Sequence, residues 1–117
     1  MQTRLLSGTT SPILELVGKI SSLQDALTVV SGSYEANTGK VLLRAEQLPP
    51  EFFELRTRFA GEFVQKLVNY RMNIACVFGS EVAMSERFRE YVCEAKAGQQ
   101  FRSFSVESEA ISWLEAR

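Results

Sequence analysis

A chain of 117 residues, 45% hydrophobic and 23% charged, is long enough for one hydrophobic core and too short for two. Thirteen basic against 14 acidic side chains leave a net charge of −1, so no overall field draws the protein to nucleic acid or to an anionic membrane. The sequence contains no histidine, which removes the commonest general base, the commonest metal ligand and every Ser-His or Cys-His nucleophile pair.

The amino terminus, MQTRLLSGTTSPILEL, carries neither the apolar run nor the small-residue cleavage site of a signal peptide. Nowhere do about 18 apolar residues run together, so a cytoplasmic protein without membrane segments is expected. Gln2 to Leu6 and Ile13 to Val17 have strand patterns, and SGTTSP between them supplies Gly8 and Pro12 for the turn of an opening hairpin. Ser21 and Gln24 then match a capping box, followed by Leu23, Ala26, Leu27 and Val30 at the spacing of a one-sided helix that ends before Gly39. VLLR at 41–44, entered from Thr38-Gly39, predicts a strand covered on both faces. After LPPEFF, Phe59, Ala60, Phe63, Val64, Leu67 and Val68 form the most regular helical stripe of the chain, with Glu62 and Lys66 on the other side.

IACVF at 74–78, closed by Gly79, predicts the central strand of a parallel sheet. Ser85 is placed to cap a helix with Phe88, Tyr91, Val92 and Ala95 on its buried side and its end at Gly98. Phe101 and Phe104 belong to a last short strand, and Ser105 is expected to cap a final helix that buries Val106, Ala110, Trp113 and Leu114. Cys76 and Cys93 fall in apolar patterns without CxxC spacing and read as small buried hydrophobes, so neither a metal nor a cofactor is expected. The order ββαβαβαβα implies an α/β fold in one domain over residues 1–117, with a mostly parallel sheet, an amino-terminal hairpin and helices packed on the sheet.

That order resembles two families. The receiver domain of two-component systems uses an acidic cluster with an aspartate phosphoacceptor at strand ends, and this chain has one aspartate, Asp25, inside the first helix. The opening hairpin followed by strand and helix alternation is instead similar to the STAS and SpoIIAA-like fold of anti-sigma-factor antagonists and anion-transporter cytoplasmic ends.

At the residue level, PPEFFELRTRFAGEFVQKLVNYRMNIACVFG at 49–79 and LQDAL at 23–27 resemble a bacterial family known as domain of unknown function 4180. The matches are Phe52-Phe53, Ala60-Gly61-Glu62, Gln65-Lys66 and Asn69-Tyr70-Arg71. Two departures stand out: Arg58 occupies a position where the family pattern carries glycine, and CEAKAG at 93–98 replaces a Glu-Ser-Asn-x-Gly pattern. The resemblance covers nearly the whole length and names a family without naming a function.

Candidate site residues cluster in ELRTRFAGE, at 54–62. This segment leads from the carboxyl end of a strand into a helix, the edge at which open parallel sheets bind ligands. Thr57 as a helix cap, with Arg56 and Arg58 beside it, would offer a phosphate or carboxylate the positive end of the helix and its unpaired N–H groups. In the SpoIIAA-like antagonists the start of this helix carries a phosphorylated serine; the resemblance makes Thr57 its nearest counterpart, without the acidic residue and second serine that accompany that site. The plainer reading is an N-cap worth about 1 kcal/mol flanked by solvated arginines. Gly61 costs roughly 1 kcal/mol relative to alanine within a helix, which suggests a close neighbour at that point.

Phe52, Phe53, Phe59 and Phe63 form an aromatic group suited to a core or to an interface. Arg87, Arg89 and Arg102 are interleaved with Glu86, Glu90 and Glu94, the pattern of a solvated face.

Three function classes therefore stay open. The first is a non-enzymatic regulatory or protein-interaction module with a protein partner at Arg56, Thr57, Arg58, Gly61 and Glu62. The second is a sensor of a small anionic ligand at the same crevice. The third is an enzyme using Glu62, Lys66 or a cysteine. The oligomeric state is open, a homodimer included, and no binding to nucleic acid is expected.

Overall fold

The computed structural model describes residues 1–79, 86–95 and 99–117, the stretch 93–95 through its backbone only. Its elements follow the expected order: β1 (Gln2–Leu5), β2 (Leu14–Val17), α1 (Asp25–Ala36), β3 (Lys40–Arg44), α2 (Phe59–Asn69), β4 (Asn73–Val77), α3 (Glu86–Ala95), β5 (Phe101–Phe104) and α4 (Glu107–Glu115). The strands lie in the order β1-β2-β3-β4-β5, antiparallel at the β1–β2 hairpin and parallel from β2 onward. The middle strand is therefore β3, not β4, although β4 is paired on both sides.

Why these strands form is visible in their burial. Val41, Leu42 and Leu43 are fully buried, as are Ile74, Ala75 and Cys76, because helices cover both faces of the sheet. Alternate residues divide between two cores. Leu14, Leu16, Val41, Leu43, Ile74 and Cys76 face the larger one, under α1, α2 and α3; Ile13, Leu42 and Ala75 face the smaller one, under Ala110 and Leu114 of α4. Three helices thus follow one another over one face as the sheet adds strands in sequence, and the last crosses to the other face.

Local chemistry departs from expectation mainly at helix starts. Ser21 and Gln24 form no capping box: the Asp25 carboxylate accepts N–H bonds from Ser21 and Ser22 at 2.8 and 3.2 Å, and these hold it below its usual pKa. Ser105 is not a cap either, since α4 starts from Val106 without a side-chain cap, and Val106 is 48% exposed rather than buried. Leu27 is likewise exposed, while Val29 and Gly32 complete the buried side of α1. At Gly32 a Cβ would lie 2.9 Å from Thr3 Cβ and closer still to its hydroxyl, so glycine is what lets α1 pack directly on β1. The expected Ser85 cap, the Gly98 stop and the side chains of Cys93, Glu94 and Ala95 lie outside the described residues. No described helix is long and apolar enough to cross a membrane.

Candidate functional site

The chain leaves the carboxyl end of β3 through three short 3-10 turns, Ala45–Gln47, Pro50–Phe53 and Leu55–Thr57. Pro49 and Pro50 forbid a continuous α-helix here, and Pro50 opens its own turn at a position where a missing N–H does no harm. The segment is anchored from below by Phe52 and Phe53. Phe52 is fully buried, with ring centroids of Phe53, Phe59, Phe63, Phe78 and Phe88 all 5.5 to 6.5 Å away. The aromatic group is therefore core, and Phe78 and Phe88 extend it from β4's end and α3.

Above this anchor, Arg56, Thr57 and Arg58 are all exposed. Thr57 is not the helix cap. Its hydroxyl lies 2.6 Å from the Glu51 carbonyl oxygen and 2.7 Å from that of Glu54, shares its proton with them, and accepts the Phe59 N–H at 3.2 Å. Thr57 thus ties the last two turns to the start of α2. Arg56 leans toward Glu54 at 3.6 Å, an exposed pair of little energetic weight.

The cap position belongs to Arg58, whose φ of 63° and ψ of 5° put it in the left-handed region. Arg58 is the single residue between the 3-10 turn ending at Thr57 and the α-helix starting at Phe59, and the change of direction there is made with a left-handed backbone. For a side chain with a Cβ this costs about 1–2 kcal/mol, which is the physical reason to expect glycine at this position. Arg58→Gly is accordingly expected to stabilise the fold by about 1 kcal/mol, the strain relief less the added entropy of the unfolded chain. Urea unfolding checks this as a higher midpoint at unchanged slope.

Gly61 and Glu62 lie further along α2, on its exposed flank. Contrary to the expectation of a close neighbour, no described atom beyond its own stretch of helix lies within 4 Å of where a Gly61 Cβ would be. Instead Gly61 and Glu62 line an open groove of about 610 Å³ together with Leu23, Gln65, Lys66 and Asn69. A smaller depression of about 250 Å³ lies between Arg56, Glu54, Glu86 and Arg87. The five candidate residues are thus split between two surfaces: the Arg56–Arg58 knuckle and the α2 groove.

The sheet order bears on the expected crevice. From β2 to β5 the strands follow in sequence, so the strand order has no reversal to open a crevice at their carboxyl ends. Beyond the end of β3, Leu48, Phe52 and Phe53 are buried in the larger core. The last residue of β3 is bridged by ions.

That bridge is the feature sequence reasoning missed. Arg44, the last residue of β3, donates from Nη1 to Glu15 Oε1 at 2.9 Å and from Nε to Glu107 Oε1 at 2.7 Å, while Arg4 Nε donates to Glu15 Oε2 at 3.0 Å. The Glu15 side chain is only 8% exposed. Burial pushes the Glu15 carboxyl's pKa up, but the two arginines outweigh it and hold the carboxyl below its ordinary value. Arg4, Glu15, Arg44 and Glu107 thereby join β1, β2, β3 and the first turn of α4. The signal in the sequence was Glu15 itself, a charge between leucines in a strand otherwise fit for burial on both faces. Cys76 is fully buried, and desolvation raises its thiol far above the range of a reactive cysteine.

No curated protein and no solved structure matches the chain. Residues 12–114 match a family model that spans the sheet from β2 to β5, the helices α1 to α3, all but the last residue of α4 and both candidate surfaces, and on that match the chain belongs to the family described as Domain of unknown function (DUF4180).

Proposed function

We propose that the protein is a non-enzymatic regulatory module that presents the Arg56–Arg58 knuckle and the start of α2 to a protein partner. The observation that carries this reading is Arg58: an exposed, non-glycine residue held at φ 63° on a base anchored by Phe52 and Phe53. Backbone strain retained at a surface where glycine would relieve it is an argument for a role of the side chain. Arg58, with Arg56 beside it in an exposed pair with Glu54, offers a guanidinium suited to an acidic group on another protein. The resemblance to SpoIIAA-like antagonists, which work by protein contact, supports the same reading. A sequence without histidine and a protonated, buried Cys76 point away from the commonest hydrolytic and thiol chemistry. A small-anion site gains less from the geometry, because the Thr57 hydroxyl is turned to backbone carbonyls and Arg56 to Glu54.

The test is co-purification from lysate of the source cells with wild type, Arg56→Ala, Thr57→Glu and, as a control at the opposite end of α2, Arg71→Ala. A stoichiometric partner retained by wild type and Arg71→Ala and lost from the two knuckle variants is the expected result. Equal recovery of every co-purifying protein by all four would overturn the reading.

A further inference from the structure

We infer that the free edge of β5 receives an extended acidic segment of another protein, which adds to the sheet as a further strand and sets its side chains against Arg102 and the Phe104–Trp113 rings. This surface is separate from the Arg56–Arg58 knuckle, and the inference does not rest on that reading. It starts from the backbone of β5, the last strand of the sheet. The Ile74 N–H donates to the Gln100 carbonyl and the Phe78 N–H to the Phe104 carbonyl, so Gln100, Arg102 and Phe104 turn their backbone groups toward β4. Phe101 and Ser103 turn theirs outward, and no described group is bonded to them. Such a row of unpaired N–H and C=O groups is a template for one more strand.

The side chains beside this edge identify the segment. Arg102 and Phe104 share the face of the sheet that carries α4, where they continue into a stack of rings and cations. The Arg102 guanidinium lies 5.4 Å from the Phe104 ring centroid, Phe104 lies 5.8 Å from Trp113, and the Arg117 guanidinium lies 4.3 Å from Trp113. Both rings are half-buried against the smaller core and both arginines are exposed. Among the described residues no carboxylate pairs with either arginine: on α4, Glu107 is held by Arg44, Glu115 by Thr10, and Glu109 pairs with neither. Unpaired guanidiniums on half-covered rings fit a strand with an acidic side chain opposite Arg102 and an aromatic one opposite Phe104. Antiparallel addition places these two residues two apart, the aromatic one first. The residues between them face the side of Phe101, where Tyr91 stands 6.1 Å away, and suit valine or threonine. The other edge strand, β1, is less suited, since its sequence QTRL has no ring and its one charge is bound to Glu15.

The probe is a blocked octapeptide, TVFTEVTS, whose third residue is set opposite Phe104 and whose fifth is set opposite Arg102, titrated into the full chain. Trp113 is the chain's single tryptophan and reports the contact by its fluorescence. Saturable binding with a dissociation constant on the order of 100 µM is expected, because a flexible peptide gives up conformational freedom when it joins the sheet. The same peptide N-methylated at its fourth and sixth residues, whose N–H groups face β5, should not bind. Methylation at the fifth, whose N–H faces away, should leave the affinity within about twofold. Arg102→Glu should weaken binding about fivefold or more and prefer the peptide with lysine in place of glutamate, a reversal that loss of fold does not produce. No saturable signal up to about 2 mM, equal affinity of wild type for the glutamate and lysine peptides, or equal affinity for the two methylated peptides would overturn the inference. A Trp113 signal that follows the protein's own concentration instead of the peptide's would assign the edge to a second copy and overturn it as well. Each of these results leaves the knuckle reading standing, since partner capture at Arg56 and Thr57 is read separately.

Discussion

Phe52→Ala is expected to destabilise the fold by about 4 kcal/mol, a large share of the roughly 5–15 kcal/mol that holds a domain of this kind together. Phe52 is fully buried and touches five other aromatic rings drawn from its own turn, α2, the end of β4 and α3. Removing the ring forfeits its transfer energy, and the cavity left behind is lined by rigid neighbours that cannot collapse into it. Thermal unfolding should show a fall in midpoint on the order of 15 °C. The effect reaches the surface, because Phe52 is also the floor under the Arg56–Arg58 knuckle. A loss below about 1 kcal/mol would mean that the turns are not anchored through this ring.

Arg44→Met should cost about 3 kcal/mol, more than its partly exposed position suggests. The substitution keeps much of the side-chain volume but leaves Glu15 buried with only the exposed Arg4 as a partner, and releases Glu107 at the start of α4. Most of the cost is the stranded carboxylate, so Glu15→Leu added to Arg44→Met should recover the larger part of it. Acid titration gives an independent reading. The folded Glu15 carboxyl has a pKa below its ordinary value of 4.5, so the stability it contributes is complete above about that pH and is lost as pH falls through the lower folded value. Glu15→Gln should therefore be less stable than wild type at neutral pH and show a flatter decline below it, measured by urea unfolding at a series of pH values.

The contrast between Phe52 and Glu15 shows which parts of the structure the sequence made legible. Strands β3 and β4 were readable because continuous apolar runs can satisfy themselves only between two layers of helix. The α2 stripe was readable because six apolar residues repeat at helical spacing, and they are the ones that pack. Helix starts were not, since several residues compete for the same N–H groups. Asp25 took those of Ser21 and Ser22, and Arg58 rather than Thr57 occupies the cap of α2. The ion network was hidden for another reason. Its members lie on four separate elements, and no local pattern pairs Glu15 with Arg44 or Arg44 with Glu107. Periodicity reports which face of an element is buried, while pairing across a sheet requires the register.

At the candidate site the structure divides the labour differently from the expectation. Thr57 fastens turns together, Arg58 carries the strained backbone, and Gly61 borders a groove instead of a packed neighbour. The expected glycine at position 58 was the most informative signal, because its replacement by arginine has a cost that can be weighed against a gain in binding.

Arg58→Gly therefore gives the most direct measurement: the affinity of wild type and of this variant for the co-purified partner, each determined beside its unfolding midpoint. A more stable variant that binds at least about tenfold more weakly is the expected result, and it would show that the strain is kept for the side chain's contact. A more stable variant with unchanged affinity would contradict the knuckle as the partner-binding surface.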